Sequence, residues 1–177
     1  MNDVLRTIFD RSSYRGTYRD APVPREDLRI IMEAGLAAPS GCNKQTTSLI
    51  AVDDPALVEK VKTLIDPPIC ETAPAFILVL TEPIIAYGNR TYCVQDYAAA
   101  IENMLLALRS LGYESCWYEG HITDADNIGR KIADCLGVPE RLVPVCLLPV
   151  GIPKEAPKRV KKQPFETRAW FNGCGRT

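Results

Sequence analysis

The chain has 177 residues, of which 46% are hydrophobic and 24% are charged, and its formal net charge is −1. This length and composition predict a single globular domain over residues 1–177 that buries a substantial core. A nucleic-acid partner is not expected, because no basic block precedes residue 158. A membrane is not expected either, because no apolar run reaches the roughly 18 residues of a membrane span. The N-terminus lacks the apolar segment of a secretory signal, which predicts a cytoplasmic protein.

The cysteine and histidine content argues against several kinds of active site. There are seven cysteines, without a C-x-x-C pair, and some lie in apolar runs, as Cys146 does in VPVCLLPVG. This usage is typical of buried, reduced thiols. Because His121 is the only histidine, we expect neither a metal site nor a Ser–His or Cys–His triad. The chain also lacks G-x-G-x-x-G and a P-loop, so a classical dinucleotide or nucleoside triphosphate site is not indicated.

The first third of the chain predicts two helices and a strand. Apolar residues at helical spacing over 4–9 predict a short amphipathic helix. A second helix is predicted from Pro24, which suits a first helical position, and it must end before Pro39. The segment TSLIAV (47–52) then predicts a buried strand.

The middle of the chain predicts the central elements of the fold. Asp54 is placed to cap a third helix, and AFILVLT (75–81) predicts a strand that is apolar on both faces. The segment DYAAAIENMLLALRSLG (96–112) is apolar nearly all round, which predicts a central helix. Gly112 is placed to end it in a left-handed turn.

The last third predicts two more strands and one more helix. ESCWYE (114–119) predicts a short strand, Thr123 is a candidate cap for a helix that ends at Gly137, and VPVCLLPVG (143–151) predicts a last core strand. The tail after it has no periodicity. About four strands and about five helices, interspersed, predict a central sheet covered by helices.

The segment DRSSYR (10–15) is the first candidate binding site. Arg11, Ser12, Ser13 and Arg15 follow the first helix. Two guanidinium groups and two hydroxyls so close together suit a phosphate or a polar ring edge, because arginine offers planar, charged donors. The alternative interpretation is a solvated helix end.

The segment APSGCNKQ (38–45) is the second candidate site. Gly41 would let the backbone approach a ligand, and Ser40, Asn43 and Gln45 supply hydrogen-bonding groups. The alternative is a helix end followed by a surface turn.

Two further segments carry weaker indications. In SCWYEGH (115–121), aromatic residues beside a glycine could line a flat ligand, although taken alone this segment favours a core aromatic and a turn. In PKRVKKQP (157–164), four basic residues suggest an anion such as phosphate, and the alternative is a solvated tail. These four residues are Lys158, Arg159, Lys161 and Lys162.

The order of these motifs resembles that of the nitroreductase family of FMN-dependent oxidoreductases. The motifs are RSSYR, EAGLAAPSGCNKQ, QDYAAAIENMLLALRSLGYESCW with EGH soon after, VPVCLLPVGIP and the basic tail. The resemblance implies an α+β fold with a central, mostly antiparallel sheet of four to five strands, flanked by helices in three α-β-α layers. It also implies a homodimer with FMN at the subunit interface, in which a domain-swapped tail (158–177) packs on the partner.

The resemblance assigns candidate FMN contacts in the first motif and in the tail. It implies that Arg11, Ser12, Ser13 and Arg15 hold the phosphate, the ribityl chain and the ring edge. Basic tail residues bind phosphate in the family, and the sequence leaves the choice open among three candidates. These are Arg159, Lys161 and Lys162.

The resemblance assigns further contacts in the other two motifs. The APSGCNKQ segment would reach the FMN of the other subunit, and backbone N–H groups after the SCW strand would lie near flavin N5. The implied residues are Pro39, Ser40, Gly41, Asn43 and Gln45 in the former, and Tyr118, Glu119 and Gly120 in the latter. This chain departs from the family at Gly41-Cys42, where members often carry serine or threonine. It also has a lysine cluster in the tail and lacks the long insertion of larger members.

The resemblance implies that NADH or NADPH reduces the flavin, which then reduces a nitroaromatic or a quinone in a ping-pong mechanism. No side chain has to act as a nucleophile, because the cofactor carries the chemistry. Three alternatives stay open at this point. They are another flavin reaction on the same scaffold, such as that of a dehalogenase or an oxidase, a flavin-binding redox sensor with little turnover, and an oligomeric structural domain without a cofactor.

Overall fold

The structure is a computed structural model that describes residues 1–66 and 70–175. In chain order its helices are α1 (Asp3–Asp10), α2 (Arg25–Leu36), α3 (Pro55–Leu64), α4 (Cys93–Ser110), α5 (Gly120–Thr123) and α6 (Ile128–Cys135). Its strands are β1 (Thr47–Val52), β2 (Ala75–Thr81) and β3 (Val143–Val150). Two 3-10 turns lie at Gly41–Asn43 and Phe165–Thr167.

The three strands form one antiparallel sheet in the order β1-β2-β3. Every residue of the central strand β2 is buried, and its side chains alternate between two hydrophobic clusters. Ala75, Ile77 and Val79 belong to the cluster that α2 and α4 cover. Phe76, Leu78 and Leu80 belong to the cluster that α3, α5 and α6 cover. The alternation follows from the period of two along a strand, and it confirms the predicted three-layer α-β-α arrangement.

The predicted number of four to five strands is wrong for the described residues, which form three. Residues 114–118 approach the outer edge of β3, but they make only two isolated bridges, Glu114 with Gly151 and Tyr118 with Leu147. Pro149 lies between these two bridges on β3. Because proline has no N–H, it cannot complete the pair that a continuous ladder would need there. The segment therefore runs beside the sheet without becoming a strand.

The predicted helix from Thr123 to Gly137 is wrong in its first third. Thr123 ends the short helix α5, and α6 begins at Ile128. Between them Asn127 adopts a left-handed conformation with φ 54°, which a continuous helix cannot contain. Gly137, with φ 70°, does follow the end of α6, as expected of a C-terminal glycine.

Several local predictions are confirmed. The Asp54 carboxylate accepts a hydrogen bond from the Leu57 N–H and so caps α3. The helix α2 ends at Leu36, before Pro39, and Gly112 follows α4 with φ 86°. β1 lies where predicted, but only Val52 is fully buried, because β1 is an edge strand of the described sheet.

The ends of the chain expose apolar side chains. No residue of α1 is buried, although one face of this helix is apolar. Up to residue 175, the tail has no regular structure apart from the turn at Phe165–Thr167, and its aromatic residues are exposed, Phe171 by 74%. The exposed large apolar residues of both segments are Val4, Leu5, Ile8, Phe9, Val160, Phe165, Trp170 and Phe171.

Candidate functional site

The first and fourth motifs, which are distant in sequence, meet at one cavity of about 160 Å³. We call it the basic cleft. It is lined by Phe9, Arg11, Ser12, Ser13, Arg159, Val160 and Lys162. Lys161 is not among the lining residues, so the structure separates the three basic candidates of the tail into two that face the cleft and one that does not.

The chain enters the basic cleft in an extended conformation directly after α1. Arg11 is the C-terminal cap of α1 and has φ −62° and ψ 131°. The next residues alternate, so that Ser12 and Tyr14 are buried while Ser13 and Arg15 are exposed. The Tyr14 N–H donates a hydrogen bond to the Ser115 carbonyl at 2.8 Å. This bond fixes the first motif against the third.

Arg11 forms an ion pair with a carboxylate of α4. Its Nε lies 3.3 Å from Glu102 Oε1 on α4. Glu114, which is only 3% exposed, forms a 2.5 Å ion pair with Arg109. Burial raises the pKa of Glu114, and the charges of Arg109 and Arg11 partly offset this rise. Glu102 and Glu114 were not predicted from the sequence, because their pairing with arginines depends on the packing of separate segments.

Ser12 carries an unsatisfied hydroxyl beside these cations. The residue is 8% exposed, and its Oγ is buried without a hydrogen-bond partner among the described residues. A buried hydroxyl without a partner costs about 1–3 kcal/mol. An anionic ligand in the basic cleft would remove that cost. Arg159 also forms an ion pair with Asp10, at the end of α1, which places the tail over the cleft.

The second motif forms a strained loop between α2 and β1, which we call the Ser40–Thr46 loop. Cys42, Asn43 and Gln45 all have φ near +50°, a conformation that costs most residues energy. Inside the loop, the Gln45 N–H donates to Ser40 Oγ at 3.0 Å. The side chains of Asn43 and Gln45 point outward and are exposed.

Asp96, in the first turn of α4, holds both ends of this loop. Its Oδ1 accepts the Gly41 N–H at 2.7 Å, and its Oδ2 accepts the Thr46 hydroxyl at 2.7 Å. The residue is only 4% exposed. It was not predicted from the sequence. The sequence feature that could have identified it is an aspartate at the start of a mostly apolar helix, where the helix dipole favours a negative charge.

Gly41 has a structural reason to be glycine. A Cβ at this position would lie 2.6 Å from the Tyr92 side chain, so only glycine fits without rearrangement. Its N–H is already bound by Asp96. Beside it a second cavity of about 160 Å³, the loop cavity, is lined in part by Pro39, Ser40, Gln45 and Asp96.

The third motif lies against β3. Tyr118 and Leu147 exchange backbone hydrogen bonds of 3.3 and 2.9 Å, and the Trp117 Nε1–H donates to the Glu119 carboxylate at 2.7 Å. The Tyr118 hydroxyl is buried without a partner among the described residues, and burial raises its pKa. Gly120 begins α5 with open space where a side chain would stand. These residues line neither the basic cleft nor the loop cavity.

Within residues 1–66 and 70–175, no group of three or more His, Cys, Asp or Glu side chains is arranged to hold a metal ion. The same part of the chain contains no helix that is both long and apolar enough to cross a membrane.

Comparison with known proteins identifies the family. The sequence profile described as the nitroreductase family matches residues 8–66 and 61–152. A protein of Archaeoglobus fulgidus, assigned as an NADH dehydrogenase/NAD(P)H nitroreductase, is 31% identical over 156 residues, which are 88% of each chain.

Two crystal structures determined with FMN have the same fold. A nitroreductase of Bacteroides fragilis has a TM-score of 0.79 and 29% identity, over 98% of this chain and 100% of its own. A protein of Desulfovibrio desulfuricans, assigned as a nitroreductase, has a TM-score of 0.81 and 28% identity, over 98% of this chain and 99% of its own. The layer order, the order of the motifs and these matches agree: the chain belongs to the nitroreductase family.

Proposed function

We propose that this protein is an FMN-dependent oxidoreductase that takes hydride from NADH or NADPH and reduces a small acceptor such as a nitroaromatic or a quinone. One observation carries the assignment to this chain. The basic cleft joins Arg11, Arg159 and Lys162 to a buried Ser12 hydroxyl that has no partner in the described structure. Arg11 and Arg159 each pair with one carboxylate of the chain, and Lys162 adds a third cation. Together with the unsatisfied hydroxyl, this set fits a phosphate monoester such as that of FMN.

The residues of the chain would bind and orient the cofactor. In this proposal Arg159 and Lys162 neutralise the phosphate, the Ser12 hydroxyl donates to it, and Ser13 and Arg15 contact the ribityl chain or the ring edge. Arg11, held by Glu102, places a fixed positive charge beside the site. When bound, FMN supplies the exchange of a hydride with the nicotinamide and then with the acceptor, in two half-reactions of ping-pong type.

The open start of α5 would provide backbone donors. The first N–H groups of a helix have no partner within the helix. Glu119 and Gly120 are the first residues at the start of α5, and the space around Gly120 is free. We propose that these N–H groups face the reactive edge of the flavin ring, and that no side chain of the protein acts as a nucleophile.

We also propose a homodimer with the cofactor at the subunit interface. The apolar face of α1 and the aromatic tail are exposed, and burying such surfaces is the usual driving force of association. The Ser40–Thr46 loop lines a different cavity from the basic cleft. A second subunit would let Pro39, Ser40, Gly41, Asn43 and Gln45 of one chain reach the FMN of the other, and would cover the tail.

The visible spectrum of the purified protein, before and after addition of NADH or NADPH without oxygen, tests the proposal. We expect bands of bound FMN that bleach with at least one nucleotide and return when a quinone or a nitroaromatic is added. Flavin that neither nucleotide reduces would favour a different flavin reaction or a sensor. Failure to bind added FMN would overturn the proposal.

A further inference from the structure

We propose that Asp96 is a positioning residue for the flavin, acting through the Ser40–Thr46 loop. The inference rests on the proposed function, because it assumes that this loop contacts FMN across a dimer interface. In this proposal, the buried carboxylate of Asp96 on α4 determines the orientation of the loop.

Asp96 is a buried carboxylate that forms no ion pair with a lysine or arginine among the described residues. Its negative charge lies in the first turn of α4, where the helix dipole is favourable. Both of its oxygens accept hydrogen bonds from the loop, at 2.7 Å each. A buried charge is costly, so its interactions with the loop must be specific and well satisfied.

The two donors lie on either side of the strained residues. Gly41 precedes Cys42, and Thr46 follows Gln45. Thr46 is also tied to the sheet, since its carbonyl accepts the Glu82 N–H at 2.9 Å. Asp96 thus closes the loop onto a fixed helix and a fixed sheet edge. Without that closure, residues with positive φ would relax to ordinary conformations.

Closure of the loop by Asp96 fixes the direction in which the side chains of Asn43 and Gln45 project. Asn43 and Gln45 are exposed, and both have positive φ. A loop that relaxed would turn both amides away from their present directions. A site held within a fraction of an ångström loses affinity when the interactions that support it are removed. We therefore expect Asp96 to influence flavin binding without touching the flavin.

The test compares Asp96→Ala, Asp96→Asn and Thr46→Val with the wild type by titrating the apoprotein with FMN and following flavin fluorescence. In Asp96→Ala the loop would have to be reordered when FMN binds, and we expect this cost to raise Kd about tenfold or more. Asparagine can still accept from Gly41 and can donate to Thr46, so Asp96→Asn should keep Kd within about threefold. Thr46→Val removes one bond and should raise Kd about threefold to tenfold.

Asp54→Ala is the matched control. Asp54 is also a carboxylate at a helix N-terminus that accepts a backbone N–H, but it caps α3 on the opposite side of the sheet. We expect Asp54→Ala to lower Tm and to leave the FMN Kd at the wild-type value. All titrations are made well below the lowest Tm, so that a general loss of stability does not appear as a loss of affinity.

The outcomes separate this inference from the proposed function. If the wild type binds no FMN, both are overturned. If the wild type binds FMN and Asp96→Ala and Thr46→Val bind it equally well, only the inference is overturned. The same holds if Asp54→Ala weakens binding as much as Asp96→Ala does. If Asp96→Ala does not fold, Thr46→Val and Asp96→Asn test the inference. It is supported if Thr46→Val binds FMN more weakly than Asp96→Asn does, and it is overturned if Thr46→Val binds FMN as well as the wild type does.

Discussion

The basic cleft and the Ser40–Thr46 loop are both candidate contacts of one cofactor, but they use their polar groups in opposite ways. The cleft keeps a buried hydroxyl that has no partner among the described residues, beside cations that line open space. The loop satisfies its polar groups internally, through Asp96 and Ser40, and holds strained backbone. The polar groups of the cleft therefore lack a partner that a ligand could supply, whereas the hydrogen bonds at the base of the loop are complete without a ligand.

This difference predicts two kinds of response to mutation. Substitutions in the cleft should change affinity for the cofactor more than stability, because the missing partner is the ligand. Substitutions at the base of the loop should change both affinity and stability, because they disturb hydrogen bonds and packing within the protein itself. Four substitutions, in order of decreasing expected effect, test the contrast.

Arg11→Ala should weaken FMN binding most. The variant removes a fixed positive charge beside the site, together with any hydrogen bond that Arg11 donates to the ligand. Such a loss costs about 1.5–3 kcal/mol, which is about tenfold to hundredfold in Kd. Titration of the apoprotein with FMN measures it, and Arg29→Ala, which removes an exposed arginine paired with Glu33 on α2, is the control. Unchanged affinity in Arg11→Ala would remove the first motif from the proposed site.

Gly41→Ala should lower both stability and affinity. The new Cβ would meet the Tyr92 ring at 2.6 Å, and such overpacking costs about 1–3 kcal/mol. Thermal unfolding and FMN titration measure the two effects. The double variant Gly41→Ala/Tyr92→Gly should recover part of both relative to Gly41→Ala, because it removes the Tyr92 Cβ as well as the ring that the new Cβ would meet. No recovery would show that close packing is not why glycine is needed.

Lys162→Ala and Lys161→Ala should differ. Lys162 lines the basic cleft and Lys161 does not. Loss of a partly solvated phosphate contact is worth about 1 kcal/mol, or about fivefold in Kd, and the effect should fade as salt is added. Titration with riboflavin, which lacks the phosphate, should show equal affinities for both variants. Equal losses of FMN affinity at the two positions would contradict the proposed geometry of the tail.

Ser12→Ala should affect FMN affinity about as much as Lys162→Ala does, but without any loss of stability. The variant removes a buried hydroxyl that has no partner in the described part of the chain, so the free energy of unfolding of the apoprotein should stay equal or rise slightly. FMN affinity should fall about fivefold, because a hydrogen bond of about 1 kcal/mol to the ligand is removed. Ser13→Ala, at an exposed neighbour, is the comparison. A Ser12→Ala apoprotein that is less stable would mean that the hydroxyl has an internal partner.

Much of the local structure could be predicted because its causes are local. Apolar spacing located α2, α4, β1, β2 and β3, and Asp54 and Gly112 marked helix ends through their own side chain or backbone preferences. The two errors have causes beyond such patterns. Residues 114–119 have the composition of a strand, but Pro149 on the facing strand interrupts the ladder. Asn127 adopts a left-handed turn that its neighbours in sequence do not require.

The candidate site was predictable in its residues but not in its grouping. Each motif carried groups suited to a phosphate or a polar ring, and their order along the chain indicated the family. Sequence could not choose among Arg159, Lys161 and Lys162, because the tail has no periodicity to orient it. It also did not reveal Asp96, whose role depends on a loop that is distant from it in the chain.

By itself the sequence determined the order of helices and strands, the apolar faces that build the three layers, and the motifs that mark the nitroreductase family. These depend on short-range periodicity and on the chemistry of neighbouring residues. Only the tertiary structure decided which polar groups meet, as when the tail reaches Ser12 and the start of α4 reaches Gly41. The reason is physical: burial, ion pairing and hydrogen bonding depend on distance in space, and residues far apart in sequence become neighbours only when the layers pack.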